Sequence, residues 1–529
     1  MSFPSAVPRG ALAAAVALVA ALAAGCGSSS STGAAGGAAK DTLSVAVNSA
    51  ITTADPAFAC TTYDYVVVKN TYDNLVTLGS ERDDTGAAKV EPALAERWEL
   101  SADKRTYTFH LRSGVTFASG NPMTADDVVY SLKRVLAKEG CQQYVLTTGD
   151  PKAIKAITKV DDRTVTITLR RADPLFLTLL AQTGNGVVDR KLLARHGGDS
   201  EAGDRWLAGH TAGTGAYVLE SYNPDTQVDF RARKGYWGTA SKTSLVSMRI
   251  VTDATTLETL VRSGDVDMAY GIPLKDVKTL KAEGKQVFAN ASQFYIYVGL
   301  NTSRKPFDDV RVRQALQAAL PVADIAKRFG YGYAQTFRGP IPPATAFSPK
   351  LPAGTPDIAK AKALLAQAGV THATVTLDVK SGETLQADIA TVVQNAFRPL
   401  GVDVKIATLG ASAFSDKVNT FKSQMYIIKD GGTVNDPAYF LGFFVACGNP
   451  FNLVKYCSKA VDADLAAARR EEDPAKRQAA YDRLSAQVDA DAPVLPIFAP
   501  NNVVVGAAGL KGYVYYDDQQ PLFRTLSIG

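Results

Sequence analysis

Five cysteines, four histidines and several carboxylate pairs are the residues of this 529-residue chain whose types could do chemistry. His110, His196, His210 and His372 each stand alone, and Cys60, Cys141, Cys447 and Cys457 show no CxxC spacing, so no metal site is expected. GxSxG, HExxH and Walker sequences are absent, while Gly213-Thr-Gly215 and Gly330-Tyr-Gly332 lack the third glycine of a dinucleotide-binding turn. The pairs Asp126-Asp127 and Asp308-Asp309 stand where helices should start, a position that capping and the helix dipole explain without catalysis. Neither catalysis nor a cofactor is expected.

The remaining cysteine chemistry depends on compartment. Arg9 and the apolar run Ala11–Leu22 have signal-peptide proportions, since about 20 residues are needed to span a bilayer of about 30 Å. Leu22-Ala-Ala-Gly-Cys26 resembles a bacterial lipobox, although Ala23 stands where leucine is commonest. Residues 1–25 should therefore be removed and Cys26 lipidated, with residues 26–40, rich in Gly, Ser and Ala, as a flexible tether. Its root-mean-square reach of roughly 20 Å would let a folded body stand off the outer face of the cell membrane. In that oxidising setting the other four cysteines should form two disulfides. Three connectivities are possible; the short loop from Cys447 to Cys457 is the easiest to close, and would leave Cys60 with Cys141.

The body that positions these residues is large enough for two or three domains. Hydrophobic residues are 46% and charged residues 21%, ordinary globular usage, and the net charge of +5 includes no run of Lys and Arg, which argues against nucleic-acid binding. Leu43–Val47, Thr106–Arg112 and Asp162–Arg170 alternate as strands. Thr124-Ala-Asp-Asp127 opens a helix with Val128, Val129, Leu132, Val135 and Leu136 at helical spacing, and a second helix starts at Asp308. Thr355-Pro356 reads as an N-cap and first-turn proline before Ala361–Ala368, with Gly369 at the end, and Asp473-Pro474 opens a helix reaching about Val488. Strands Val375–Val379 and Val402–Ala407 around the helical stretch Leu385–Phe397 predict a βαβ unit. The fold class is α/β.

One long block carries a family resemblance: Glu91-Pro-Ala-Leu-Ala-Glu-Arg-Trp98, Tyr107-Thr-Phe-His-Leu-Arg112, Gly120-Asn-Pro122 and Thr124–Ser131. With Gly213–Tyr217, Tyr236-Trp237-Gly238, Gly264–Asp267, Val298–Thr302, Pro306–Leu316 and Asp491–Ile497, it resembles the family 5 solute-binding proteins of ABC importers over essentially the whole mature chain. That resemblance implies a three-lobed, type II periplasmic-binding-protein-like fold of the venus-flytrap kind. Lobe I would comprise 41–58, 210–292 and 498–529, an inserted lobe 59–209, and lobe II 293–497. It implies as partners a solute, foremost a peptide, and an ABC permease with its ATPase subunits; nickel chelates, opines, sugars or amines are other family ligands, and a sensing receptor or a secreted hydrolase are rival roles. A monomer is expected. The resemblance places Asp430, in Tyr426-Ile-Ile-Lys-Asp430-Gly-Gly-Thr-Val-Asn-Asp436-Pro437, against a ligand ammonium. It sets Thr62, Tyr63 and Tyr144 on the opposite lip, and supports the Cys60 to Cys141 pairing because both cysteines map to that rim. Tyr295 and Arg338 are further candidate ligand contacts.

Overall fold

Five of the six side chains of Thr42–Val47 are buried, on both faces, which a strand achieves only inside a sheet covered on each side. In the computed structural model, which describes residues 40–529, this strand is fourth of seven in a sheet ordered 286–290, 502–506, 268–270, 42–47, 245–250, 227–232 and 217–223. Leu43, Val45 and Val47 pack with Val228, Phe230, Val246 and Met248 on one face, and Ala46 packs with Leu257, Val261 and Ala269 on the other. The signal segment, Cys26 and all of the tether except Lys40 lie outside the described residues.

A second sheet has six strands, ordered 334–335, 494–500, 294–300, 425–431, 373–380 and 402–409. The predicted βαβ unit forms part of it. Ala373–Lys380 and Val402–Leu409 are parallel, and the helix Thr384–Phe397 between them buries Ile389, Ala390, Val393 and Phe397. The chain passes between the two large sheets twice, through residues 291–293 and through Asn501.

A four-stranded sheet, ordered 95–100, 106–111, 164–169 and 154–161, has its own core. Alternation buries Tyr107, Phe109 and Leu111 on one strand and Val165, Ile167 and Leu169 on the next. The helix Ala125–Ala137 covers them with Val128, Leu132 and Val135. Its start is held as expected, Asp127 accepting from the Thr124 amide at 2.9 Å.

Asp473 caps the helix Pro474–Asp491, and Gly369, at φ +71°, follows the helix Ile358–Gln367. Two helix starts differ from expectation. The cap of Ile358–Gln367 is Asp357, which accepts from the Lys360 amide at 2.8 Å, so Thr355 and Pro356 precede the helix. Aspartate is the stronger acceptor and wins the position. Likewise Asp309, not Asp308, caps Val310–Ala319.

Candidate functional site

The strand Met425–Gly431 runs antiparallel to Phe294–Leu300 with Tyr295 opposite Asp430, so both side chains leave the same face of the sheet. The chain then turns through two glycines that admit no side chain. A Cβ on Gly431 would lie 2.6 Å from the Gln293 carbonyl oxygen, and one on Gly432 2.6 Å from the Phe440 ring. This packing holds Asp430 at the strand end, half-buried. Its carboxylate accepts one hydrogen bond, from the Gly431 amide at 2.8 Å, and no cation among the described residues pairs with it. Burial pushes the carboxyl up to about 6, opposed by that single amide.

Asp436, six residues on, is the opposite case. It is buried, caps Pro437–Phe444 by accepting from the Ala438 amide at 2.8 Å, and takes Arg477 at 2.7 Å and the Tyr481 hydroxyl at 3.2 Å. Asp436 is satisfied by the fold, whereas Asp430 has acceptor capacity to spare.

Two short helices face this loop. Thr62–Thr71 is capped by Thr61, with Asp64 completing a capping box, and Cys141–Thr147 starts at a cysteine. Cys60, next to the first cap, is disulfide-bonded to Cys141, their Cα atoms 5.5 Å apart, so one covalent bond ties both helix starts. The helices bring Tyr65 and Tyr144 toward Tyr439, whose hydroxyl accepts from the Thr433 hydroxyl at 3.3 Å. The Tyr439 phenol is raised by burial and by Tyr65, Tyr144 and Asp430. Tyr144 packs edge-on against Phe443 and Phe451, with centroids 5.6 and 4.8 Å away, and its hydroxyl meets the Asn449 amide. Val145, Leu175 and Leu179 pack there with Val434 and Tyr439, joining the chain around the Cys141–Thr147 helix to the six-stranded-sheet region.

Of the remaining expected site residues, Tyr295 adjoins Asp430 and the others fall elsewhere. Thr62 is exposed at the first turn of its helix. Tyr63 is buried in the core of the seven-stranded sheet, edge-on to Tyr270, its hydroxyl donating to Asn48 at 2.6 Å. Tyr295 is fully buried beside Asp430 with its hydroxyl unpartnered, and burial pushes its phenol far up. Arg338 pairs with Asp489 at 2.5 Å, lining a cavity with Gln314 and Lys360 to which Tyr65, Tyr144 and Tyr439 do not contribute. The second disulfide joins Cys447 to Cys457, Cα atoms 4.5 Å apart. No cluster of three or more His, Cys, Asp or Glu able to hold a metal occurs among the described residues. Nor is any described helix long and apolar enough to cross a membrane. Tyr65 and Tyr439 were missed from sequence; Tyr65 stands three residues after Thr62, on the same helix face, which is the signal that would have found it.

Known proteins resemble this chain in sequence and in fold. A model of the bacterial extracellular solute-binding proteins, family 5 Middle, matches residues 89–452. The chain is 29% identical over 490 residues to the glutathione-binding protein GsiB of Salmonella typhimurium, covering 90% of this chain and 92% of that one. It is 29% identical over 469 residues to the di/tripeptide-binding protein 1 of Pseudomonas aeruginosa, covering 84% and 86%. Among solved structures it is similar to the ABC transporter-associated periplasmic binding protein DppA of Helicobacter pylori in complex with the peptide STSA. That likeness has a TM-score of 0.82 and 26% identity over 93% of this chain and 98% of the other.

Proposed function

The chain belongs to the bacterial extracellular solute-binding proteins of family 5, binding proteins and not enzymes, and from that premise we propose that it captures short peptides by their free amino terminus. Asp430 carries this reading: a half-buried carboxylate with one weak partner is left for a cation that the ligand brings. The relatives named for glutathione and di/tripeptides, and the neighbour holding STSA, support a peptide of a few residues. In this reading the seven-stranded sheet is the core of lobe I, the four-stranded sheet that of the inserted lobe, and the six-stranded sheet that of lobe II. The lobes close about residues 291–293 and Asn501, and the loaded form docks on an ABC permease driven by its ATPase subunits.

The test is calorimetric titration of wild type and Asp430→Asn with trialanine and N-acetyltrialanine. Leaving an ammonium unpaired in a closed cleft costs roughly 2–5 kcal/mol. Asp430→Asn should therefore lose about 30-fold or more in affinity for trialanine. N-acetyltrialanine should bind both forms poorly. Equal affinity of the two proteins for trialanine would return Asp430 to a structural role.

Anchoring through Cys26 belongs to the same proposal. Cys26→Ala should release the protein into the medium with trialanine binding intact, and unchanged membrane retention in cell fractionation would refute lipidation.

A further inference from the structure

A cavity of about 720 Å³ between Tyr144 and Phe443 lies beside the Asp430 loop and falls within the peptide reading above. A second cavity, of about 240 Å³, opens where the Val76–Pro92 hairpin meets Tyr236, Trp237 and the C-terminal segment. It shares no lining residue with the first, and neither Asp430 nor Tyr439 reaches it. Smaller than the roughly 300–1,000 Å³ of drug-sized sites, it suits a molecule of a few heavy atoms.

Three carboxylates and two cations line it, and most of that charge is spent inside the fold. Asp73 accepts from the Thr214 hydroxyl at 2.8 Å, the Tyr236 hydroxyl at 3.0 Å and the Trp237 indole at 2.8 Å. Asp518 takes Lys69 at 2.7 Å and the Thr183 hydroxyl at 3.1 Å, and Lys69 also lies 4.1 Å from the centre of the Tyr516 ring. Glu91 and Arg524 are left over. Neither side chain makes an ion pair or hydrogen bond among the described residues, with each other included, and Nε of Arg524 is buried without an acceptor. Glu91 keeps its place because residue 79 is glycine: a Cβ there would collide with the Glu91 carboxylate. A buried guanidinium nitrogen without an acceptor carries a desolvation cost that a bound acceptor removes.

We propose that this cavity binds a small zwitterion of the free amino-acid class, its carboxylate on Arg524 and its ammonium on Glu91. A guanidinium receives a carboxylate through paired N–H donors, while the unpaired carboxylate of Glu91 selects for a positive group on the same molecule. The occupant bridges the hairpin to the C-terminal segment, as the ion pair of Arg82 with Asp517 does for the same two elements. Because Glu91 is exposed and Arg524 half-buried, salt weakens the site.

Glycine is the probe, titrated at low ionic strength and followed by calorimetry and by the indole N–H signals of isotope-labelled protein. Of the three tryptophans only Trp237 lines the cavity, and Trp237→Phe assigns its signal. Saturable binding that moves the Trp237 signal is expected in wild type and in Asp430→Asn alike. Acetate and methylamine, each carrying one of the two charges, should bind there at least tenfold more weakly. Glu91→Gln, at an exposed position, and Arg524→Gln should each cost about tenfold in glycine affinity. A Trp237 signal that glycine leaves unmoved overturns the site. So does acetate binding as tightly as glycine, which would make it a plain anion site, and so does full glycine affinity in both variants. Loss of glycine binding in Asp430→Asn would put the amino acid in the peptide cleft, overturning this site while leaving the Asp430 reading standing.

Discussion

A carboxyl pushed up to about 6 by burial binds protons at a pH where an ordinary aspartate has lost them, and this gives Asp430 a pH signature. Neutral Asp430 cannot pair with an ammonium, so affinity for a free-amine peptide should be about tenfold lower at pH 5 than at pH 7.5. It should fall again above pH 8, where the α-amine, with a pKa of about 8, is neutralised. Binding favours the charged carboxylate, so near pH 6 it should release about half a proton, seen as a buffer-dependent enthalpy in calorimetry. A flat profile from pH 5 to 7.5 would contradict an ionic role. Stability runs the other way. The folded carboxyl titrates above its unfolded value of about 4, so the empty folded protein holds the extra proton between about pH 4 and 6, and this stabilisation is lost as pH rises through 6. Asp430→Asn removes that loss: above pH 6 the empty variant should be more stable than wild type by about 1–2 kcal/mol, an advantage that vanishes toward pH 4 in denaturant titrations. Gain in stability with loss of binding is the mark of a residue kept for its ligand.

At the scale of elements, the Cys60–Cys141 bond fixes the starts of two helices that no hydrophobic stripe would register against each other. It closes a separation of 81 residues, whereas Cys447–Cys457 closes 10. Loop-closure entropy makes the first worth about 4.5 kcal/mol and the second about 2.7. Cys60→Ser/Cys141→Ser should accordingly lower the urea midpoint more than Cys447→Ser/Cys457→Ser, and it alone should weaken peptide binding, because Tyr65 and Tyr144 lose their common anchor. Equal effects on binding would deny the rim its positioning role. The same contrast explains what the sequence could disclose. Strands such as Thr106–Leu111 and Thr164–Leu169 bury one face only, and their alternation is visible locally. The Asp430 loop stood out in the sequence through its family motif alone. Tyr63 was not, because Thr62–Thr71 is buried around most of its circumference, so no polar face marks which tyrosine looks outward. Nor was Arg338, whose partner Asp489 lies 151 residues further along the chain.

For the molecule as a whole, the loop that carries Asp430 also carries a latch. Asn435, buried, donates to Asp517 at 2.6 Å and to the Gly86 carbonyl at 3.3 Å, and accepts from the Ala346 amide at 2.7 Å. Asp517, also buried, takes Arg82 on its other oxygen. One carboxamide thus joins the Val76–Pro92 hairpin, the C-terminal segment and the six-stranded-sheet region, and the Phe347 amide adds a bond to the Thr85 carbonyl at 3.1 Å. Since Asn435 is five residues from Asp430, the proposed ligand contact and this latch would share one loop, and whatever opens the latch should weaken binding without touching the ligand. Asn435→Asp would set a second carboxylate against Asp517 in place of a donor. A buried like-charge pair of this kind resists joint ionisation, so the variant should favour the open form at pH 7.5 and recover toward pH 5, where the two carboxyls share a proton. We expect a larger radius of gyration for the empty variant in solution scattering and at least a tenfold loss in trialanine affinity at pH 7.5, with unchanged far-ultraviolet circular dichroism. Asn435→Ala, which removes the donor without adding charge, should show a smaller loss and no recovery in acid. Wild-type dimensions and affinity in Asn435→Asp at pH 7.5 would mean that closure is held elsewhere, by the Tyr144 and Phe443 cluster across the cavity.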